Sequence, residues 1–397
     1  MVKLHGRSYT RRELSAHSGM LSQFAGVRLS TFENGVERGV RQLEFRTGTG
    51  LRFTVLVDRA LDIAECEHKG RAIGWASPSG FRHPGLHEYE GEGGLGWLRS
   101  FSGLLATCGL DHILMMDEEP AEHYGYVHRK TIKNSIHGRI STIPGHLSSY
   151  GEAWDGDECT LYCEGTVQQS TVFGEDLHMI RRIEAKVGGD EIVIRDRVVN
   201  HGFYRTPHML LYHINVGHPV LAEGSRYVAP IESSIWASHA GDKYREQNVG
   251  YRTLPGPMQN FQEQVWQHQM AADADGRVPA ALMNDALGFG FLVETAQSEF
   301  PCHFQWQNFH NGHYCMGIEP VTNHVFGKQF AKTRGELIWL EHGEERSYTT
   351  RLAALDGAEC LKETEARIRA IAPQPDTDYP DLTDEWPDLG RTKANKQ

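Results

Sequence analysis

Two short apolar runs in the sequence end in groups that can move protons. In 207-PHMLLYHINVGHP-219, the two-residue period of a β-strand places Met209, Leu211, His213 and Asn215 on one face, and His208, Leu210, Tyr212 and Ile214 on the other. The first face passes from apolar to polar and sets His213 beside Asn215. An imidazole titrates near neutrality and can serve as a general acid. A hydrogen-bonded core histidine accounts for the same pattern. The run 313-HYCMGIEPVTNH-324 repeats the arrangement, with Cys315, Gly317 and Glu319 on one face and Pro320 expected to end the strand ladder and hold Glu319 extended. Glutamate is depleted in strands and costly to bury unpaired. Glu319 therefore needs an arginine partner or a bound ligand, and in the second case it is a candidate general base.

Other residues could complete a site. In 134-NSIHGRIS-141, His137-Gly138 interrupts β-like residues, and Gly permits a tight bend or a close approach by a ligand. In 97-WLRSFSGLLATCGLDH-112, Arg99 and Asp111 flank a small-residue apolar run, where Arg99 either binds hydroxyls or pairs with Asp111. Arg59, in 57-VDRALDI-63, lies among apolar neighbours, where a guanidinium demands acceptors. In 300-FPCHFQWQNFHNG-312, Phe304 and Trp306 share one strand face, and Gln305 and Gln307 the other. Gln305 is the expected site contact, because an inward amide needs a partner; Trp306 fits the core equally well.

The elements that must carry these residues read as strands. From about residue 22, short runs rich in Val, Ile, Phe, Tyr and Thr alternate with Gly, Asn and Asp, and 179–200 reads as a hairpin about Gly188-Gly189. Helical signals are few. Thr10 with Glu13 forms a capping box before a short helix that Gly19 can close, and 359-ECLKETEARIRAIA-372 stops at Pro373. Strands do not alternate with helices, which argues against a parallel α/β fold. The Gly-rich polar stretch 77–96 is a loop of the kind that carries binding groups. The expected organisation is a helical lead-in (1–20), one large β domain (21–372) and an extended, Pro-rich acidic tail (373–397).

Composition narrows the partners. With 39% hydrophobic and 23% charged residues among 397, the chain can bury an ordinary core. A formal net charge of −12 and the lack of a basic stripe disfavour nucleic acid. No apolar stretch approaches the roughly 20 residues that span a bilayer, and the start lacks the apolar segment of a signal peptide, so a cytoplasmic location is expected. Seven cysteines, odd in number and mostly far apart, suit reduced thiols.

Taken in order, the motifs 137-HG-138, 212-YHIN-215 and 318-IEP-320 resemble those of the aldose 1-epimerase (galactose mutarotase-like) superfamily. The longer set LRSFSGLLATCGLDH, SIHGRIS, LLYHINVGHP and GIEPVTNH resembles an aldose-epimerase-like family within it, over about residues 20 to 355. The resemblance implies an all-β fold, a large antiparallel β-sandwich with a few short helices and a site in its concave groove. It implies Glu319 as general base, His213 as general acid and His137 as a second histidine touching the substrate; the residue pattern itself adds Arg59, Arg99, Asp111, Asn215 and Gln305 as expected binding groups. The usual mutarotase strand reads His-x-Tyr-Phe-Asn, whereas here the order is Tyr212-His213-Ile214-Asn215.

The expected activity is isomerisation of a carbohydrate between its anomers, without a cofactor. Two rivals use the same groove. One is a metal-dependent sugar isomerase, epimerase or lyase with a divalent ion held by His137, His213 and Glu319, although no tight His-x-His pair supports it. The other is a noncatalytic carbohydrate-binding protein. A homodimer is compatible with the sequence, which does not fix the oligomer.

Overall fold

The computed structural model describes residues 1–238 and 249–375, and strands dominate it. An eight-stranded sheet runs in the order His146–Asp155, Glu158–Ser170, Asp176–Lys186, Glu191–Asn200, Glu345–Asp356, Phe289–Ala296, Arg277–Asn284, Arg226–Val228. A second sheet has the order Ile231–Ala237, Gln264–Met270, Cys302–Asn308, Cys315–Val321, Thr206–Val216, Ile338–Leu340, with Leu105–Leu110 also paired to Thr206–Val216. A five-stranded sheet, from Gly26–Thr31 to Arg71–Ala72, completes the body. Neighbouring strands in these sheets pair antiparallel, so the expected antiparallel β-sandwich is the fold observed.

One apolar cluster joins the inner faces, with Leu161, Ile183 and Ile194 from the eight-stranded sheet, Phe45 and Phe53 from the five-stranded sheet, and Tyr212, Ile214 and Ile318 from the second. A buried ionic knot crosses the same interior. The Arg181 guanidinium, 0% exposed, donates to Asp196 and to Asp62, and Thr107 and Tyr212 donate to these carboxylates in turn. Burying a cation is tolerable here because every donor direction meets an acceptor.

The strand Thr206–Val216 is buried along its whole length, which one packed face alone would not produce. Tyr212 and Ile214 point into the sandwich, while Met209 and Leu211 belong to a second cluster on the opposite face with Phe304, Trp306, Trp75, Trp97 and Phe101. Loops roof this outer face, Ser77, Pro78, Ser79 and Trp97 among them. The site lies under that roof.

The helix Arg11–His17 has its capping box between Thr10 and Glu13, but it ends at Ser18 in extended conformation rather than at Gly19, and the hairpin Val2–Leu4 with Arg7–Tyr9 precedes it. The hairpin of Asp176–Lys186 with Glu191–Asn200 turns about Gly188-Gly189. The helix Ala358–Ile371 follows the sequence pattern, whereas Gly327–Arg334 has no strong amphipathic signal and was not evident. All seven cysteines are free thiols. Among the described residues, no helix is long and apolar enough to cross a membrane. From residue 376 the acidic tail lies outside the described residues.

Candidate active site

The register of two strands creates the site. Leu211 pairs with Val321 and Ile214 with Ile318, so His213 falls directly opposite Glu319. Pro320 does not end its strand: Cys315–Val321 continues past it, and Pro320 pairs with His303. Its missing N–H instead leaves a gap in the ladder toward Thr206–Val216. Side chains opposite one another on one face approach closely, and His213 Nε2 stands 3.3 Å from Glu319 Oε1. Both are at least 96% buried.

Gly317 makes room for this pair. It lies between Asn215 and Trp306 across the sheet. A Cβ there would fall 2.5 Å from Glu319 Oε1 and 3.2 Å from His213 Cε1. Only a residue without a side chain leaves the carboxyl where it stands.

Asn215, expected to touch substrate, is fully buried and serves the histidine. Its Nδ2 donates to the carbonyls of Gly103 and His213, which orients the amide, and its Oδ1 lies 2.6 Å from His213 Nδ1. Since that oxygen only accepts, Nδ1 carries the proton, and in the neutral ring the Nε2 lone pair faces Glu319.

Burial governs the protonation of both partners. It raises the Glu319 carboxyl to about 8, helped by the negative charge of Glu263, and lowers His213 to about 3 against the opposing hydrogen bond to Asn215. A carboxylate–imidazolium pairing would move both values the other way. The enclosure outweighs it, because no cation lies against either group and Glu319 Oε1 makes no hydrogen bond among the described residues. The pair therefore holds one proton, resting as a carboxylic acid beside a neutral imidazole.

Around the pair is a cavity of about 410 Å³. Trp97 stacks on Phe101 at 4.2 Å between ring centroids, Phe101 lies 4.6 Å from the His213 ring, and Trp306 lies 5.1 Å from it. The indoles are anchored: Trp97 Nε1 donates to Ser141 Oγ at 2.9 Å, and Trp306 Nε1 to Glu263 at 3.0 Å. His137 lines the cavity from a left-handed backbone, φ 59°, followed by Gly138 at φ 72°. Gly138 is required by a close approach, since a Cβ there would lie 2.3 Å from the Gly109 carbonyl oxygen. The His137 ring lies 5.7 Å from that of His213, its buried Nδ1 has no hydrogen-bond partner among the described residues, and burial holds its proton affinity well below the usual histidine range.

The structure thus brings together Glu319, His213 and His137, with Asn215 behind them. It takes the other expected binding groups elsewhere. Arg59 is buried and donates to the carbonyls of Ser141, Arg82 and Ser100. Arg99 is exposed and pairs with Glu92, not with Asp111. Asp111 accepts from Gln169 in a buried cluster. Gln305 faces the sandwich interior, bonded to His268 and the Tyr251 carbonyl; the cavity face of its strand carries Phe304 and Trp306 instead. Of the loop 77–96, Ser77, Pro78 and Ser79 reach the cavity. Trp75, Trp97, Phe101, Trp236, Glu263, Asn308 and His313 line it without having been singled out. For Trp97 and Phe101 a signal existed, since aromatics in a Gly- and Ser-rich stretch must cover something. Among the described residues, no three His, Cys, Asp or Glu side chains converge as metal ligands.

Comparison with known proteins agrees with this architecture. A family model described as a domain of unknown function (DUF4432) matches residues 37–354. A candidate aldose 1-epimerase from Klebsiella pneumoniae shares the fold with a TM-score of 0.79 at 23% identity, over 91% of each chain. A galactose mutarotase-like protein from Clostridium acetobutylicum gives 0.57 at 13% identity, over 83% of this chain and 98% of the other. Galactose 1-epimerase from Lactobacillus acidophilus gives 0.50 at 13%, over 83% and 99%. At these identities the likeness establishes the galactose mutarotase-like fold. The sequence matches no curated protein.

Proposed function

The chain belongs to the DUF4432 family, and from the geometry of its site we propose that it interconverts the anomers of a sugar by acid–base catalysis between Glu319 and His213. The observation that carries this reading is the placement of a carboxyl and an imidazole 3.3 Å apart at the wall of a cavity lined by aromatic rings. Sugar rings present apolar C–H faces that pack on such rings, and their anomeric hydroxyl and ring oxygen are neighbours on one carbon.

The sugar binds with its hemiacetal at the pair. One member removes the proton from the anomeric hydroxyl while the other protonates the ring oxygen. The bond from C1 to the ring oxygen breaks, giving the open-chain aldehyde. Rotation about C1–C2 turns the other carbonyl face to the hydroxyl, and reclosure returns both protons. The roles expected from sequence were Glu319 as base and His213 as acid. With the proton resting on Glu319, ring opening instead starts from carboxylic acid and neutral imidazole, and reclosure uses carboxylate and imidazolium. In this reading His137, whose ring lines the cavity, holds a sugar hydroxyl.

Each positioned proton transfer contributes roughly 10² to 10⁴-fold. The test is anomer exchange measured by NMR across aldoses and ketoses, comparing the wild type with Glu319→Gln and His213→Asn. Loss of about 10² or more in either variant is expected. Saturable sugar binding with no acceleration by the wild type would instead leave a carbohydrate-binding protein.

A further inference from the structure

We propose that Glu263 makes this cavity selective by charge, admitting neutral and ammonium-bearing sugars and rejecting those with a phosphate or carboxylate. The inference rests on the sugar-site reading above and adds the class of sugar.

Among the described residues, the cavity is lined by two carboxyl groups, Glu263 and Glu319, and by no lysine or arginine. The two guanidiniums expected nearby are engaged elsewhere, Arg59 with three backbone carbonyls and Arg99 with Glu92. Glu263 directly precedes the strand Gln264–Met270. Trp306 Nε1–H, 3.0 Å away, holds its carboxylate against the aromatic wall, while the second oxygen makes no hydrogen bond among the described residues and can take one from a ligand. Trp306 faces the His213 ring, so the Glu263 carboxylate and the His213–Glu319 pair bracket one indole. The two acids sense one another, since the Glu263 charge helps the Glu319 carboxyl keep its proton.

Glu263 is exposed at the edge of the cavity, where water screens part of its charge; a phosphate or carboxylate entering past it still meets a like charge and finds no cation on the described walls. Repulsion, and the loss of water deeper in, both oppose it. A hydroxyl can donate to Glu263, and an ammonium gains from the carboxylate and the ring faces alike.

The test uses the full-length protein with D-glucose and D-galactose, their 6-phosphates, their uronates and D-galactosamine. Binding is followed by saturation-transfer NMR and anomer exchange by exchange spectroscopy. The expected result is at least about tenfold weaker binding of the phosphates and uronates than of the parent sugars. Glu263→Gln keeps an acceptor for Trp306 and should close most of that gap. Anionic sugars that bind as well as their parents would overturn the proposal, as would a gap that Glu263→Gln leaves unchanged, or no binding by any probe. Binding with the expected charge preference but without faster exchange would support the charge selection while removing the anomer-exchange reading.

Discussion

His213 and Glu319 stand opposite one another on adjacent antiparallel strands, Nε2 3.3 Å from Oε1, in a ladder gap beside Pro320. This is an arrangement that a folded chain would ordinarily resolve into an ion pair. Here burial acts on both partners and favours their neutral forms, so the proton stays on the acid. A carboxylic acid beside a neutral base is what a reaction that first donates and then reclaims a proton requires.

The pH profile should show it. The one-proton state of the pair extends from about 3, where His213 charges, to about 8, where Glu319 loses its proton. Anomer exchange should therefore hold a plateau through pH 7 and fall only above about 8. An unshifted carboxylate base with an unshifted imidazole acid would instead give a bell whose basic limb falls near pH 6.5. A kcat/KM profile already declining at pH 6.5 would contradict the neutral pair.

Gly317 should be indispensable to the chemistry while contributing little to the fold. Gly317→Ala drives a methyl into the Glu319 carboxyl and the His213 ring edge. Overpacking of this kind costs roughly 1–3 kcal/mol of stability, which a chain of this size can absorb. The displaced carboxyl should cost at least about 100-fold in exchange rate, with an unchanged far-UV spectrum. A variant of normal activity would show that the carboxyl position is not critical.

How far the sequence disclosed this site depends on what each residue must satisfy. Strand period and polar termini sufficed to place His213, Asn215, Gly317 and Glu319 on two single faces. The same period did not say which face of Cys302–Asn308 met the cavity: an amide and an indole are both at home in a core, and the bonding of Gln305 to His268 is settled only by the packing of distant strands. Arg59 needed acceptors, as expected, but backbone carbonyls supplied them. Glu263 carried no local signal: a glutamate between two glutamines reads as solvated, it is exposed here too, and only the indole of Trp306 bonded to it marks it as part of the cavity. The ionic knot about Arg181 was equally silent, since its partners come from strands far apart in the chain.

Asn215 should be readable directly in the histidine it orients. At pH 7 the imidazole ¹⁵N shifts of His213 should report a protonated Nδ1 and a bare Nε2, because Nδ1–H donates to the Asn215 oxygen at 2.6 Å. Asn215→Leu removes that acceptor and should mix the tautomers. Its exchange rate should fall through kcat more than KM, since Asn215 is buried behind the ring and lines no part of the cavity. An unchanged tautomer in the leucine variant would remove the positioning role.

The buried knot makes the last expectation one of stability. Arg181 is enclosed by Asp62 and Asp196, and Thr107 and Tyr212 complete the hydrogen bonding, so three sheets meet at one cation. Arg181→Met would leave two carboxyls facing each other's surroundings without a counter-charge. Breaking one partner out of such a group costs roughly 3–5 kcal/mol. Burial already pushes the Asp62 carboxyl up despite Arg181, and without the arginine that rise should grow. A raised folded-state value means that the group's contribution is intact at low pH and is lost as pH rises. The Arg181→Met variant should therefore lose more stability at pH 8 than at pH 5, in denaturant titrations at the two values. Equal losses would indicate that the carboxyls find other partners once the arginine is gone.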